Sequence, residues 1–127
     1  MEILTGYPPN YKRIADKFNL PLDAIFTYGD KIYNPTNGFI DKPLLEHEKV
    51  HMKQQGKNIE EWWYRYLTDK DFRLSQETEA YLRQYRVAKN IISREQLFTL
   101  KQNIAKNLSG AIYDNLISYE EAIRLIK

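Results

Sequence analysis

The stretch "LLEHEKVHMKQQG", residues 44–56, holds both histidines of a chain of 127 residues. His47 and His51 stand four apart, with Glu48 directly after the first. A helix turns about 100° per residue, so positions 47 and 51 project about 40° apart on one face, and their imidazoles converge on a single tetrahedral metal ion. Glu48 lies about 100° round from His47, beside that site rather than in it. This is where a zinc hydrolase needs a general base for its water. The H-E-x-x-H spacing therefore predicts a metal-binding helix. Pro43 fits its first turn and Gly56 its C-terminal cap, so it runs from about 43 to 55. Lys49 and Lys53 fall on the opposite side and are expected to face solvent.

Two imidazoles and a water leave a tetrahedral zinc one protein ligand short. No third histidine exists, and the absence of cysteine excludes thiolate ligands, disulfides and cysteine nucleophiles together. The missing ligand must be a carboxylate. The segment "FRLSQETEAYLRQYRVAKNII", residues 72–92, offers Glu77 and Glu79. On a helix with Glu77 at 0°, Ala88 falls near about 20°, Tyr81 near about 40°, Leu74 and Ile92 near about 60°, Ile91 near about −40° and Ala80 near about −60°. Glu77 thus sits at the centre of the apolar face. Glu79, near about 200°, joins Arg83, Arg86 and Asn90 on the solvated side. A carboxylate aimed into a core is costly unless it is paired or bound to metal, so Glu77 needs a partner and Glu79 does not. Donors for an oxyanion are scarce: Arg73, about −40° from Glu77, and tyrosines such as Tyr81 and Tyr85.

Around these two helices the chain reads as one domain, 1–127, since it is long enough for a single core and short for two. "PPNYKRIADKFNLP" predicts a short helix with Asn10 as N-cap, ended by Pro21. Ala24 to Tyr28 and Lys31 to Tyr33 flank Gly29-Asp30 as a tight hairpin with an edge that could be open. Asn58 with Glu61 suggests a capping box opening the aromatic helix "IEEWWYRYL", whose Trp62, Trp63, Tyr64 and Tyr66 are expected to pack under the metal-binding helix rather than line a cleft. Asp69 to Asp71 read as a break, and a long helix follows from Phe72 to Asn90 or slightly beyond. Ser93 with Gln96, and Ser118 with Glu121, cap two more helices. The fold class expected is α+β, mostly helical with a small sheet.

Apolar residues make up 43% and charged residues 28%, an ordinary soluble composition. A net charge of +2 with scattered Lys and Arg gives no support for a nucleic-acid partner. No apolar run approaches the length of a membrane span, and the N-terminus lacks a basic segment followed by an apolar one, so no membrane partner and a cytoplasmic location are expected.

His47-Glu48-Lys49-Val50-His51 followed by Glu77-Thr78-Glu79-Ala80-Tyr81 resembles the H-E-x-x-H plus E-x-x-A arrangement of gluzincins, zinc metallopeptidases whose third ligand is a glutamate on a later helix. The compact length and the run "FTYGDKIYNP" further resemble small gluzincin-like proteins encoded in phage genomes. The resemblance spans roughly residues 24 to 90. It implies a zincin-like fold, Zn²⁺ held by His47, His51 and Glu77, Glu48 as general base and acid, a peptide or protein substrate, and the 24–33 hairpin as a substrate-aligning edge. Larger gluzincins often place an aspartate where Tyr81 stands, to hold a ligand histidine, and a tyrosine hydroxyl could partly serve. Two rivals stand beside the peptidase: a non-catalytic binding or virion structural protein that keeps zinc as a staple, and a hydrolase of a non-peptide amide, for instance in the cell wall.

Overall fold

A computed structural model describes residues 1–127. Three short strands form one sheet: β1 (Glu2–Leu4), β2 (Phe26–Tyr28) and β3 (Lys31–Tyr33), in the order β1-β3-β2. β2 and β3 are the expected hairpin, paired antiparallel with Tyr28 opposite Lys31. Gly29 enters its two-residue turn at φ 64°, a conformation that a side chain would oppose. β1 was not legible in the sequence. It joins β3 in parallel, Ile3 opposite Ile32, through a pairing that spans nearly thirty residues and leaves no local signature.

Six α-helices complete the fold: α1 (Tyr11–Lys17), α2 (Lys42–Gln55), α3 (Ile59–Thr68), α4 (Lys70–Ala88), α5 (Arg94–Ser109) and α6 (Tyr119–Leu125). The architecture is α+β and mostly helical. Asp41 caps α2 by accepting from Leu44 N at 2.9 Å, Pro43 lies in its first turn, and Gly56 ends it at φ 52°. Ser93 and Gln96 make the expected reciprocal capping box on α5, and Ser118 caps α6. Asn10 and Asn58 occupy N-cap positions, yet neither side chain makes a capping bond, so the box expected of Asn58 and Glu61 does not form.

The break expected over Asp69 to Asp71 shrinks to one residue. Asp69, extended at φ −124° and ψ 107°, ends α3 and also caps α4 by accepting from Phe72 N at 3.1 Å. Helix α4 therefore starts at Lys70, earlier than expected, and ends at Ala88. A short 3-10 turn over Ala111–Tyr113, also unforeseen, follows α5.

The apolar interior falls into two clusters. One joins α1, β2 and α3 through Ile14, Phe18, Phe26, Trp62, Trp63 and Tyr66. The other joins α4, α5 and α6 through residues including Tyr81, Tyr85, Ile104, Leu108 and Ile126. Trp62, Trp63 and Tyr66 are buried as expected, but contrary to expectation all three also line the cavity beside α2; Tyr64 is exposed. Helices α2 and α4 run antiparallel, pinned by Arg83 to Glu46 at 2.9 Å at one end and by Gln54 Nε2 donating to Gln76 O at 3.0 Å at the other. No helix is long and apolar enough to cross a membrane.

Candidate metal centre

The face that α2 turns inward is polar: apart from Pro43 it buries His47, Glu48, His51 and Gln55. Opposite it, α4 buries Glu77. His47 Nε2, His51 Nε2 and Glu77 Oε1 form a triangle with all three edges 3.2 Å. Two ligand atoms about 2.05 Å from a tetrahedral zinc are about 3.3 Å apart, so this triangle has the size of one face of such a coordination shell. These residues could hold a metal ion. Helical phase chose between the two glutamates in the same way: Glu77 is 3% exposed, while Glu79 lies on the outer side.

Each of the three side chains is oriented by a second residue. Gln54 Oε1 lies 2.8 Å from His51 Nδ1; accepting that N–H leaves the Nε2 lone pair for a metal. Gln54 in turn donates to Glu79 Oε1 at 2.7 Å. Tyr66 donates to the second oxygen of Glu77 at 2.5 Å. His47 is held by packing, its ring 4.5 Å from that of Tyr81, and its Nδ1 has no partner. Tyr81 therefore does not stand in for the aspartate of larger gluzincins. Its hydroxyl lies 2.7 Å from that of Tyr113 and accepts from Asn107 Nδ2 at 3.2 Å.

The charges within the triangle compensate one another. Burial alone would lower the pKa of His51, but the Glu77 and Glu48 carboxylates and the Gln54 amide beside it together outweigh this, and the imidazole is pushed up to about 9. Burial would raise Glu77, yet both histidines hold it far below the usual carboxylate range. A proton on His51 thus does part of the work of a cation in this cage. Burial raises Glu48 above an ordinary glutamate, against the opposing pull of the two histidines. Its carboxylate accepts from Thr27 Oγ1 at 3.1 Å through one oxygen and lies 3.6 Å from His47 Nε2 through the other. Glu48 therefore stands beside the triangle without belonging to it.

Arg73 has a different post from the one expected. It is fully buried, and its guanidinium donates to the carbonyls of Tyr66 at 2.7 Å, Leu67 at 3.3 Å and Tyr113 at 3.2 Å, over the face of Phe18. It closes the C-terminal end of α3 and ties it to the 3-10 turn, and it is not among the residues that line the cavity over the triangle. The hairpin edge is also less open than expected. The Gln55 carboxamide accepts from Gly29 N at 2.7 Å and donates to Thr27 O at 2.9 Å, and Trp63 Nε1 reaches the same carbonyl at 3.2 Å. The outer edge of β2 is therefore occupied at Thr27.

A cavity of about 290 Å³ opens over the centre. Ile14, Phe18 and Leu20 line it on the α1 side, and Gln84, Asn107 and Tyr113 on the other. Thr27, Gln54, Gln84, Asn107 and Tyr113 were not singled out in the sequence, and Tyr66 only as a packing aromatic. Gln54 alone carried a usable signal, three residues after His51 on the same helical face. Compared with known proteins, the chain matches no family model, no curated protein and no solved structure.

Proposed function

We propose that this chain is a zinc-dependent hydrolase with a zincin-like fold that cleaves peptide bonds. The observation that carries the reading is the equilateral triangle of two imidazole nitrogens and one carboxylate oxygen, edges 3.2 Å, with a second buried carboxylate at its side. A His₂Glu donor set without sulfur suits Zn²⁺, and three protein ligands leave a position open, as catalytic sites do. Zinc bound there would polarise the scissile carbonyl and make a water acidic enough to attack near neutral pH.

The remaining steps belong to the chain. Thr27 fixes one oxygen of Glu48, and the other faces the triangle, placed to accept the proton of the water as its oxygen attacks the carbonyl carbon. When the carbon–nitrogen bond breaks, Glu48 returns that proton to the leaving amine. A carboxylate destabilised by burial favours both transfers, since its basicity lies closer to neutral. The donor to the developing oxyanion comes from the paired hydroxyls of Tyr81 and Tyr113, which burial keeps protonated far above neutral pH.

A specific observation favours a second reading. His47, Glu48, His51 and Glu77 are only 3–6% exposed, which also suits zinc as a staple in a non-catalytic binding or virion structural protein. Glu48→Gln separates the two. It keeps the side chain's shape without its basicity, so zinc content should be unchanged while hydrolysis of a broad peptide library falls about a thousandfold. Undiminished turnover in the variant would remove Glu48 from the mechanism. An inert wild-type protein that still holds zinc would favour the staple.

A further inference from the structure

We infer that Gln84 binds the main chain of the substrate, accepting a peptide N–H about three residues from the scissile bond. The inference rests on the peptidase reading and adds how the substrate is held.

Gln84 is 8% exposed, and its buried Oε1 has no hydrogen-bond partner. It lines the same cavity as His47, Glu48 and Glu77. The hydroxyls of Tyr81 and Tyr113 and the Asn107 Nδ2 group in the same cavity each have a partner in one another. The other buried side chains with unpartnered atoms are Asn10 and Thr78, which do not line the cavity, and His47, whose free Nδ1 is the ring nitrogen opposite the metal-facing one. Gln84 is thus the one cavity residue whose oxygen is desolvated by the fold and given nothing in return.

Position supports the same conclusion. Gln84 follows Glu77 by seven residues on α4, which places it within about 20° of the same face and about 10 Å along the axis. An extended peptide covers that distance in about three residues. The Arg83–Glu46 pair at 2.9 Å shows that this direction leads toward the N-terminal end of α2, where Leu44 also lines the cavity. The alternative acceptor for a peptide N–H, the outer edge of β2, is spent at Thr27, whose carbonyl takes bonds from Gln55 and Trp63. A peptide in this cavity is therefore held by a side-chain carboxamide where the strand edge is occupied at Thr27, and a dipeptide is too short to reach it.

Binding to the zinc-loaded protein tests this without relying on turnover. Three probes serve: acetohydroxamate, acetyl-trialanine hydroxamate and malonohydroxamoyl-trialanine amide, the last two extending from the metal-binding group in opposite directions. In the wild-type protein one extended probe should bind more tightly than acetohydroxamate. Gln84→Leu should weaken that probe about tenfold, the value of one hydrogen bond, and leave acetohydroxamate within about twofold. Removing an unpaired buried acceptor should not lower Tm, and Gln84→Met serves if the branched side chain fits poorly. Unchanged affinity for both extended probes, equal weakening of all three, or no gain from extension in the wild-type protein would each overturn the role of Gln84. A wild-type protein that binds zinc but no hydroxamate, or binds no zinc, would instead overturn the peptidase reading beneath it.

Discussion

Helices α2 and α5 are of similar length, 14 and 16 residues, and bury opposite chemistry. α5 buries Ile104, Ala105 and Leu108, and each large apolar side chain removed from water contributes about 1.5–3 kcal/mol. α2 buries two histidines, a glutamate and a glutamine, which cost free energy unless every polar atom finds a partner. Its partners come from elsewhere in the chain: Thr27 for Glu48, the Thr27 and Gly29 backbone for Gln55, Glu77 for the histidines. One region holds the fold together, and the other is held in place by it.

The contrast is broken most strongly by exchanging damage between the two regions. Leu108, fully buried in the α4–α5–α6 cluster, should cost about 3 kcal/mol on replacement by alanine, read by denaturant unfolding of the metal-free protein. Zinc affinity of the folded Leu108→Ala protein should stay within about twofold. A large loss of zinc affinity there would mean that the cluster shapes the metal centre directly. A milder perturbation sharpens the comparison from the other side. Gln54→Ala removes the partner of His51 Nδ1 and should weaken zinc by about 10–100-fold with little change in stability. Glu79→Ala, one bond further out and exposed, should alter zinc affinity only slightly and stability by no more than about 0.5 kcal/mol. The reverse order of these two effects would show that the helix phase of Glu77 and Glu79 does not govern the site.

The same contrast explains what could be read from the sequence. The spacing of His47, Glu48 and His51 and the apolar neighbours of Glu77 are local, periodic features, and the centre assembled as they implied. Periodicity gives an angle round a helix but not the height of what lies opposite. Arg73 shares the inward face of Glu77, yet one turn earlier that face meets the carbonyl end of α3 rather than the cavity. Tyr66 was legible as a buried aromatic, while the target of its hydroxyl was not. Asn107 and Tyr113 reach the cavity only because α5 folds back across α4, a long-range contact with no local signature. Asn58 failed as a cap because its backbone, at φ −108° and ψ 54°, lies outside the extended region from which a capping side chain reaches the helix.

Whether His47, His51 and Glu77 hold one metal ion is tested most directly by zinc titration calorimetry of the wild-type protein and Glu77→Ala between pH 6 and 8. His51 carries a proton up to about pH 9 in the metal-free protein, and that proton must leave before zinc binds. Affinity should therefore rise with pH across this range, by about tenfold per unit, while Glu77, held well below the usual carboxylate range, stays ionised throughout. One zinc per chain, bound with release of a proton and at least about a hundredfold more weakly by Glu77→Ala, is the predicted result. No zinc binding by the wild-type protein, or equal binding by Glu77→Ala, would contradict it.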